Sequence, residues 1–199
     1  MGLVAKKLAP PPATLEDLLA IPEDQRRHEI IDGELVEKGA ASGEHGGAQA
    51  DLVTALNHRF GRRPGGRWPG GWWFATETHV HYPSGVVFCH DLVGWRRDRV
   101  PEFPTGFAVR VRPDWVCEVL SPRNEKRDFV DKPRALHAAE VPHYWILDAQ
   151  ERLLIVHRWS PDGYTMVLSA GADETVRAEP FGAVELRVAV LFGDDDDDE

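Results

Sequence analysis

Asp91, Glu118 and Lys132 are the residues of this sequence whose types and spacing suit a chemical task. Asp91 interrupts the apolar run Val86–Trp95, and Glu118 interrupts Trp115-Val116-Cys117-Glu118-Val119-Leu120. Strand alternation aims Asp91, at the end of its run, to the side opposite His90 and Leu92. An unpaired carboxylate among such neighbours is costly, so each acid needs a basic partner or a metal ion. Two carboxylates on separate, adjacent strands form the hard oxygen pair that Mg²⁺ takes, with waters and a substrate phosphate completing its octahedron. Such a cation lowers the pKa of a bound water and offsets charge on a transition-state phosphate, while a nearby lysine holds or helps deprotonate the attacking water. Lys132, on the first turn of the helix expected after Glu118, is placed to reach back to that position. Spacing alone leaves open the plainer reading, and favours it: each acid answers a local arginine or backbone donor, and Lys132 is an ordinary helix lysine.

The elements that must position these residues are legible from periodicity. Thr14 with Asp17 three positions on marks a helix start, with Leu15, Leu18 and Leu19 on one face to about Ala20. Asp32-Gly33 splits His28–Val36 into a hairpin. A long helix is predicted over His45–Phe60, where Ala48, Leu52, Ala55, Leu56 and Phe60 recur at helical spacing. Strands follow at Trp72–Tyr82, Val86–Trp95 and Val109–Leu120, then a helix at Phe129–Glu140. Further strands are predicted at Tyr144–Asp148, Leu153–Trp159 and Tyr164–Leu168. Helix, strands, helix, strands without a repeat predicts one α/β domain.

Several segments together carry a resemblance that none carries alone. Asp91-Leu92-Val93-Gly94-Trp95-Arg96-Arg97, Pro113-Asp114-Trp115-Val116-Cys117-Glu118-Val119-Leu120-Ser121-Pro122, Asp128 with Lys132, and Val141-Pro142-His143-Tyr144-Trp145-Ile146-Leu147-Asp148 resemble the Uma-two family of restriction-endonuclease-like proteins. The upstream Glu29–Leu35 and the downstream Val176–Phe181 are similar to it as well, so the likeness runs from about Thr14 to Phe192. It implies a PD-(D/E)xK core, a mixed central sheet flanked by helices. Asp91 is then the first acid, Glu118 the second, and both bind Mg²⁺, for which Mn²⁺ can substitute. The lysine usual two residues past the second acid is Leu120 here, so the lysine role passes to Lys132 on the next helix. Glu29 and His45 match other recurrent polar positions and border the site. The implied activity is hydrolysis of phosphodiester bonds in nucleic acid, DNA first, by an endonuclease that often works as a homodimer. The chain departs from the pattern at His90, where proline usually precedes the first acid, at Arg123-Asn124 and at Leu136. A catalytically inactive nuclease-fold module that binds nucleic acid or protein is the alternative.

Both acid-bearing strands lead into basic segments, from which Arg96, Arg97, Arg123 and Arg134 are the candidates to track a phosphate backbone. Interleaved Asp98, Glu125, Asp128 and Asp131 fit a solvated charged face as well. A zinc site drawn from His79, His81, Cys89, His90 and Cys117 matches no recurrent ligand spacing. Trp68, Trp72 and Trp73 fit a covered core edge better than a base-stacking platform, and Ser121 lacks the glycines of a nucleophile elbow.

The chain has 199 residues, 42% of them hydrophobic, and seven tryptophans, enough for one ordinary core. Its net charge of −10 owes much to the DDDDDE end, a block of like charge that cannot pack. The expected division is a flexible leader at 1–13, the domain at 14–193 and an acidic disordered tail at 194–199. Two cysteines without a CxxC spacing suit a reducing cytoplasm. Neither a signal peptide nor a membrane-length apolar run is present, which predicts a cytoplasmic protein without a membrane partner.

Overall fold

In a computed structural model of the chain, residues 11–120 and 127–195 are described. Thr14 caps helix α1 (Leu15–Ala20) in a capping box with Asp17. Strands β1 (His28–Ile31) and β2 (Glu34–Glu37) form the hairpin around Asp32-Gly33, both at positive φ, the backbone a tight hairpin of this hand requires. Helix α2 (Gly43–Phe60) starts two residues earlier than its apolar spacing predicts, because the Ser42 side chain caps it by accepting from the His45 N–H.

Strands β3 (Trp72–His81) and β4 (Val87–Arg96) form the longest pairing, followed by β5 (Trp115–Val119). The predicted strand Val109–Leu120 is thus shorter than its apolar run. Val109 makes only an isolated bridge to Val80, and Pro113, which has no N–H for a ladder, separates it from β5. The following helix also differs from expectation. Residues Arg127–Asp131 form a wide π-helical turn that leads into α3 (Lys132–Ala138). Pro133 cannot donate to the Phe129 carbonyl, so the first turn does not close as an α-helix. Strands β6 (His143–Asp148), β7 (Leu153–Ser160) and β8 (Gly163–Gly171) complete the sheet. A short pair, β9 (Thr175–Val176) with β10 (Leu186–Arg187), and a 3-10 turn at Val188–Phe192 lie beyond it, none of them marked by sequence periodicity.

The large sheet is mixed, in the order β2-β1-β4-β5-β6-β7-β8, with β3 on the other edge of β4. Among the described strands only β5 and β6 run parallel, joined through α3. One face packs α2 through Leu52, Leu56 and Phe60 against Leu92, Trp115, Cys117, Val119 and Trp145. The other packs Leu136 of α3 against Val93, Trp95, Val116, Tyr144 and Ile146. Gly94 of β4 leaves room for the α2-side aromatics, since a Cβ there would stand 3.2 Å from the Trp115 ring and 3.3 Å from that of Phe74. Among the described residues, no helix is long and apolar enough to cross a membrane.

Candidate active site

A fork in the sheet creates the site. One edge of β4 is shared by two strands, β1 at Val87 and β5 at Leu92–Gly94. Between them the Cys89 N–H is answered not by a strand but by the Glu29 carboxylate, whose Oε1 accepts at 3.0 Å. Where β1 and β5 part, Asp91 lies in the middle of β4, not at its end as the apolar run suggests.

The strict alternation expected along β4 also breaks here. His90 lies with Tyr82 and Phe88, in the α3-side core, whereas Leu92 belongs to the α2-side core and Val93 to the α3 side again. His90 and Leu92 therefore do not share a face. The paired strand β3 carries the matching irregularity at Glu77, opposite Asp91, whose φ of 46° is left-handed. For a non-glycine residue inside a strand this conformation is unfavourable, and it is found where surrounding structure imposes it.

The result is two groups of charge in one cavity of about 700 Å³, lined by Asp91, Glu118, Lys132, Lys38, His45 and Glu77 among others. The first group surrounds Asp91. Its Oδ1 accepts from Lys38 Nζ at 2.9 Å, and its Oδ2 accepts from the Val119 N–H at 2.8 Å and lies 3.2 Å from His45 Nε2. Lys38 also reaches Glu77 Oε2 at 2.8 Å, while Gln49 Nε2 donates to Glu77 Oε1 at 2.6 Å. Burial opposes the Asp91 charge, but the His45 hydrogen bond and the Lys38 ammonium hold its carboxyl well below the usual carboxylate range. Burial likewise opposes the His45 charge, and the Asp91 carboxylate outweighs it, so the imidazole titrates above its ordinary value.

The second group surrounds Glu118. Its Oε2 lies 2.5 Å from Lys132 Nζ and its Oε1 lies 2.5 Å from His90 Nδ1. Lys132 is also 3.1 Å from Asp128 Oδ1. Two carboxylates thus share one ammonium in the interior. Burial pushes Glu118 up to about 8 and Asp128 up to about 7, each against the pull of Lys132. Burial opposes the Lys132 charge too, but Glu118 and Asp128 keep it a cation, above the ordinary lysine range.

Of the residues singled out by sequence, Asp91, Glu118, Lys132 and His45 meet in this cavity. Glu29 is fully buried behind its wall, tied to Cys89 and, at 2.6 Å, to Arg127. The arginines are placed elsewhere. Arg96 extends past the site to pair with Asp98, and Arg97 caps the Trp72 and Gly61 carbonyls across the Trp73 ring. Arg134 lines a separate groove with Phe129 and Tyr164, and Arg123 lies outside the described residues. Arg26, Arg27 and Arg127 line the cavity instead. Sequence reasoning missed Lys38, Glu77 and His90 as site groups. The zinc candidates do not converge: His79 bonds the His28 carbonyl, and Cys89 and Cys117 are buried free thiols, Cys89 pushed up to about 12 by burial. Among the described residues, the metal-type side chains that do converge are His45, Glu77 and Asp91, with ligand atoms within 4.8 Å of one another.

Comparison with known proteins adds family and fold. The Uma2 (Uma-two) family model, described as "Putative restriction endonuclease", matches residues 15–190. A crystal structure of a "putative nuclease belonging to DUF820" from Anabaena variabilis superimposes with a TM-score of 0.73 at 20% identity, over 91% of this chain and 98% of that one. No curated protein matches the chain.

Proposed function

Starting from the fact that this chain belongs to the Uma2 family of restriction-endonuclease-like proteins, we propose that it is a divalent-cation-dependent endonuclease that hydrolyses phosphodiester bonds in DNA. The observation that carries the reading is the common cavity of Asp91, Glu118 and Lys132 at the fork of the sheet.

The donor chemistry fits Mg²⁺ or Mn²⁺. Asp91 is held ionised, Glu118 faces the same cavity, and Glu77 adds an oxygen donor beside Asp91. In this reading Asp91 and Glu118 hold the cation. A bound cation supplies Lewis-acid stabilisation of the phosphate and a more acidic water. The chain's own residues do the rest. The Val119 N–H and His45 fix the Asp91 carboxylate, and His90 fixes that of Glu118. The Lys132 ammonium orients the attacking water and offsets charge on the transition-state phosphate. Arg27, exposed at the cavity wall, offers its guanidinium group to the phosphate backbone. Two copies, each cutting one strand, suit a duplex substrate, and in this reading the protein works as a homodimer.

One observation favours the second reading, a silent nuclease-fold module. Asp91 and Glu118 already have protein cations beside them, Lys38 and Lys132. Cleavage of supercoiled plasmid with Mg²⁺ or Mn²⁺ separates the two. Nicking lost with EDTA and in Asp91→Ala, Glu118→Ala and Lys132→Ala is expected of the enzyme. Folded protein with no activity above those variants establishes the silent module.

A further inference from the structure

Lys38 stands where the cation chemistry would have to happen. Its Nζ lies 2.8 Å from Glu77 Oε2 and 2.9 Å from Asp91 Oδ1. Those two carboxylates are members of the convergent group His45, Glu77 and Asp91. Coordination places carboxylate oxygens about 2.0–2.1 Å from Mg²⁺. An ammonium at hydrogen-bond distance from the same oxygens competes with such an ion for their lone pairs and repels its charge, so each weakens the other's hold on the site.

We propose that Lys38 is a resident counter-ion that a divalent cation must displace from Asp91 and Glu77 before the site loads, so that Lys38 sets the cation concentration at which the protein works. The inference rests on the cation-dependent reading above and names the residue that opposes it.

The two site lysines differ in a way that suits this division. Lys132 is 4% exposed and gripped by Glu118 and Asp128, so it is part of the wall. Lys38 is 15% exposed and enters from the cavity rim, just past β2, where Gly39, Ala40, Ala41 and Ser42 form the lining. A four-carbon stem among such small side chains has room to swing out. Glu77 keeps its place without Lys38, because Gln49 holds its other oxygen at 2.6 Å. Asp91 keeps its place through the Val119 N–H and His45. The donors are therefore prearranged and the ammonium is the movable part.

The test measures Mn²⁺ binding to the full chain by calorimetry and by the paramagnetic resonance of free Mn²⁺, at fixed pH and ionic strength and without nucleic acid. Lys38→Met is expected to bind Mn²⁺ at least about tenfold tighter than the unsubstituted protein, the scale of losing one charge-assisted competitor, and Asp91→Asn added to it abolishes the gain. Equal or weaker binding by Lys38→Met, with measurable binding by the unsubstituted protein, overturns the role of Lys38 and leaves the cation site standing. No Mn²⁺ binding by either protein overturns both. A second measurement needs no variant. Acetylation of Lys38, mapped by mass spectrometry, is expected to speed up severalfold at saturating Mn²⁺ as the ammonium is released, and an unchanged rate counts against displacement.

Discussion

His90 Nδ1 lies 2.5 Å from Glu118 Oε1, and its other ring nitrogen lies 2.7 Å from the Tyr82 hydroxyl. Burial first, and the Lys132 charge second, keep this imidazole neutral. A neutral ring has one donor, and with it at Nδ1 facing Glu118 Oε1, Nε2 accepts from the Tyr82 O–H. The residue that replaces the usual proline before Asp91 thus anchors the second acid.

Tyr82→Phe tests that chain of hydrogen bonds. It leaves Nε2 a buried acceptor without its donor, at a cost of about 1–3 kcal/mol. Calorimetry should show Tm lowered by several degrees, roughly 2–4 °C for each kcal/mol in a domain of this size. An unchanged Tm would mean that the hydroxyl does not hold the ring.

Lys132→Met removes the ammonium that Glu118 and Asp128 share; above about pH 8, where Glu118 is ionised, breaking this buried pair from one side costs about 3–5 kcal/mol. Tm should fall by on the order of 10 °C. Adding Glu118→Gln should recover part of that loss, because the uncompensated carboxylate is then gone. If the single variant melts with the unsubstituted protein, the buried ion pair is not a structural element.

Which residues are legible in the sequence follows from cost. A carboxylate inside an apolar strand requires explanation, which is why Asp91 and Glu118 stand out by residue type and neighbours alone. The sheet and its helices are legible from apolar periodicity, and Asp32-Gly33 marks its hairpin. Lys38 gives no such signal. It follows a polar strand end, and its two carboxylate partners are brought to it only by the fork between β1, β4 and β5. Glu77 depends on a left-handed residue inside β3, which no propensity suggests for glutamate. Regular alternation puts His90 on the wrong face because the pleat is broken at that point. Arg96 and Arg97, which follow Asp91 in sequence, lie away from the cavity for a related reason. At a rise of about 3.3 Å per residue a strand carries Arg96 well beyond Asp91, whereas Arg27 arrives from a different strand end.

Arg27 is the cavity arginine to test for phosphate contact. Arg26 donates to the Leu19 and Ile21 carbonyls and Arg127 is paired with Glu29. Arg27 is exposed and, among the described residues, makes no ion pair. Arg27→Ala should weaken duplex binding in fluorescence anisotropy with EDTA present and reduce the magnitude of the log-log salt slope by about 1. Arg96→Ala, whose side chain pairs with Asp98, should leave both unchanged. The reverse result would return the phosphate path to the β4 end.

The pH dependence of stability and of cation binding turns on Glu118. Its carboxyl, ordinarily near 4.5, is pushed up to about 8 by burial. An acid whose pKa is raised on folding binds its proton more tightly in the folded state. The stability it contributes therefore falls as pH climbs from its unfolded value through about 8, and changes no further above that. Asp128, raised to about 7, adds a slope of the same sign that ends lower. Glu118→Gln removes the larger slope, so its Tm relative to the unsubstituted protein should rise steadily between pH 5 and 8. A constant difference across that range would show that Glu118 is not held protonated by burial. Because a divalent cation takes the ionised carboxylate, Mn²⁺ affinity should climb through the same upper window and level off beyond about pH 8, with the cation restoring at pH 8 the stability that ionisation removed. Affinity that is flat from pH 6 to 9 would place the cation on Asp91 and Glu77 without Glu118.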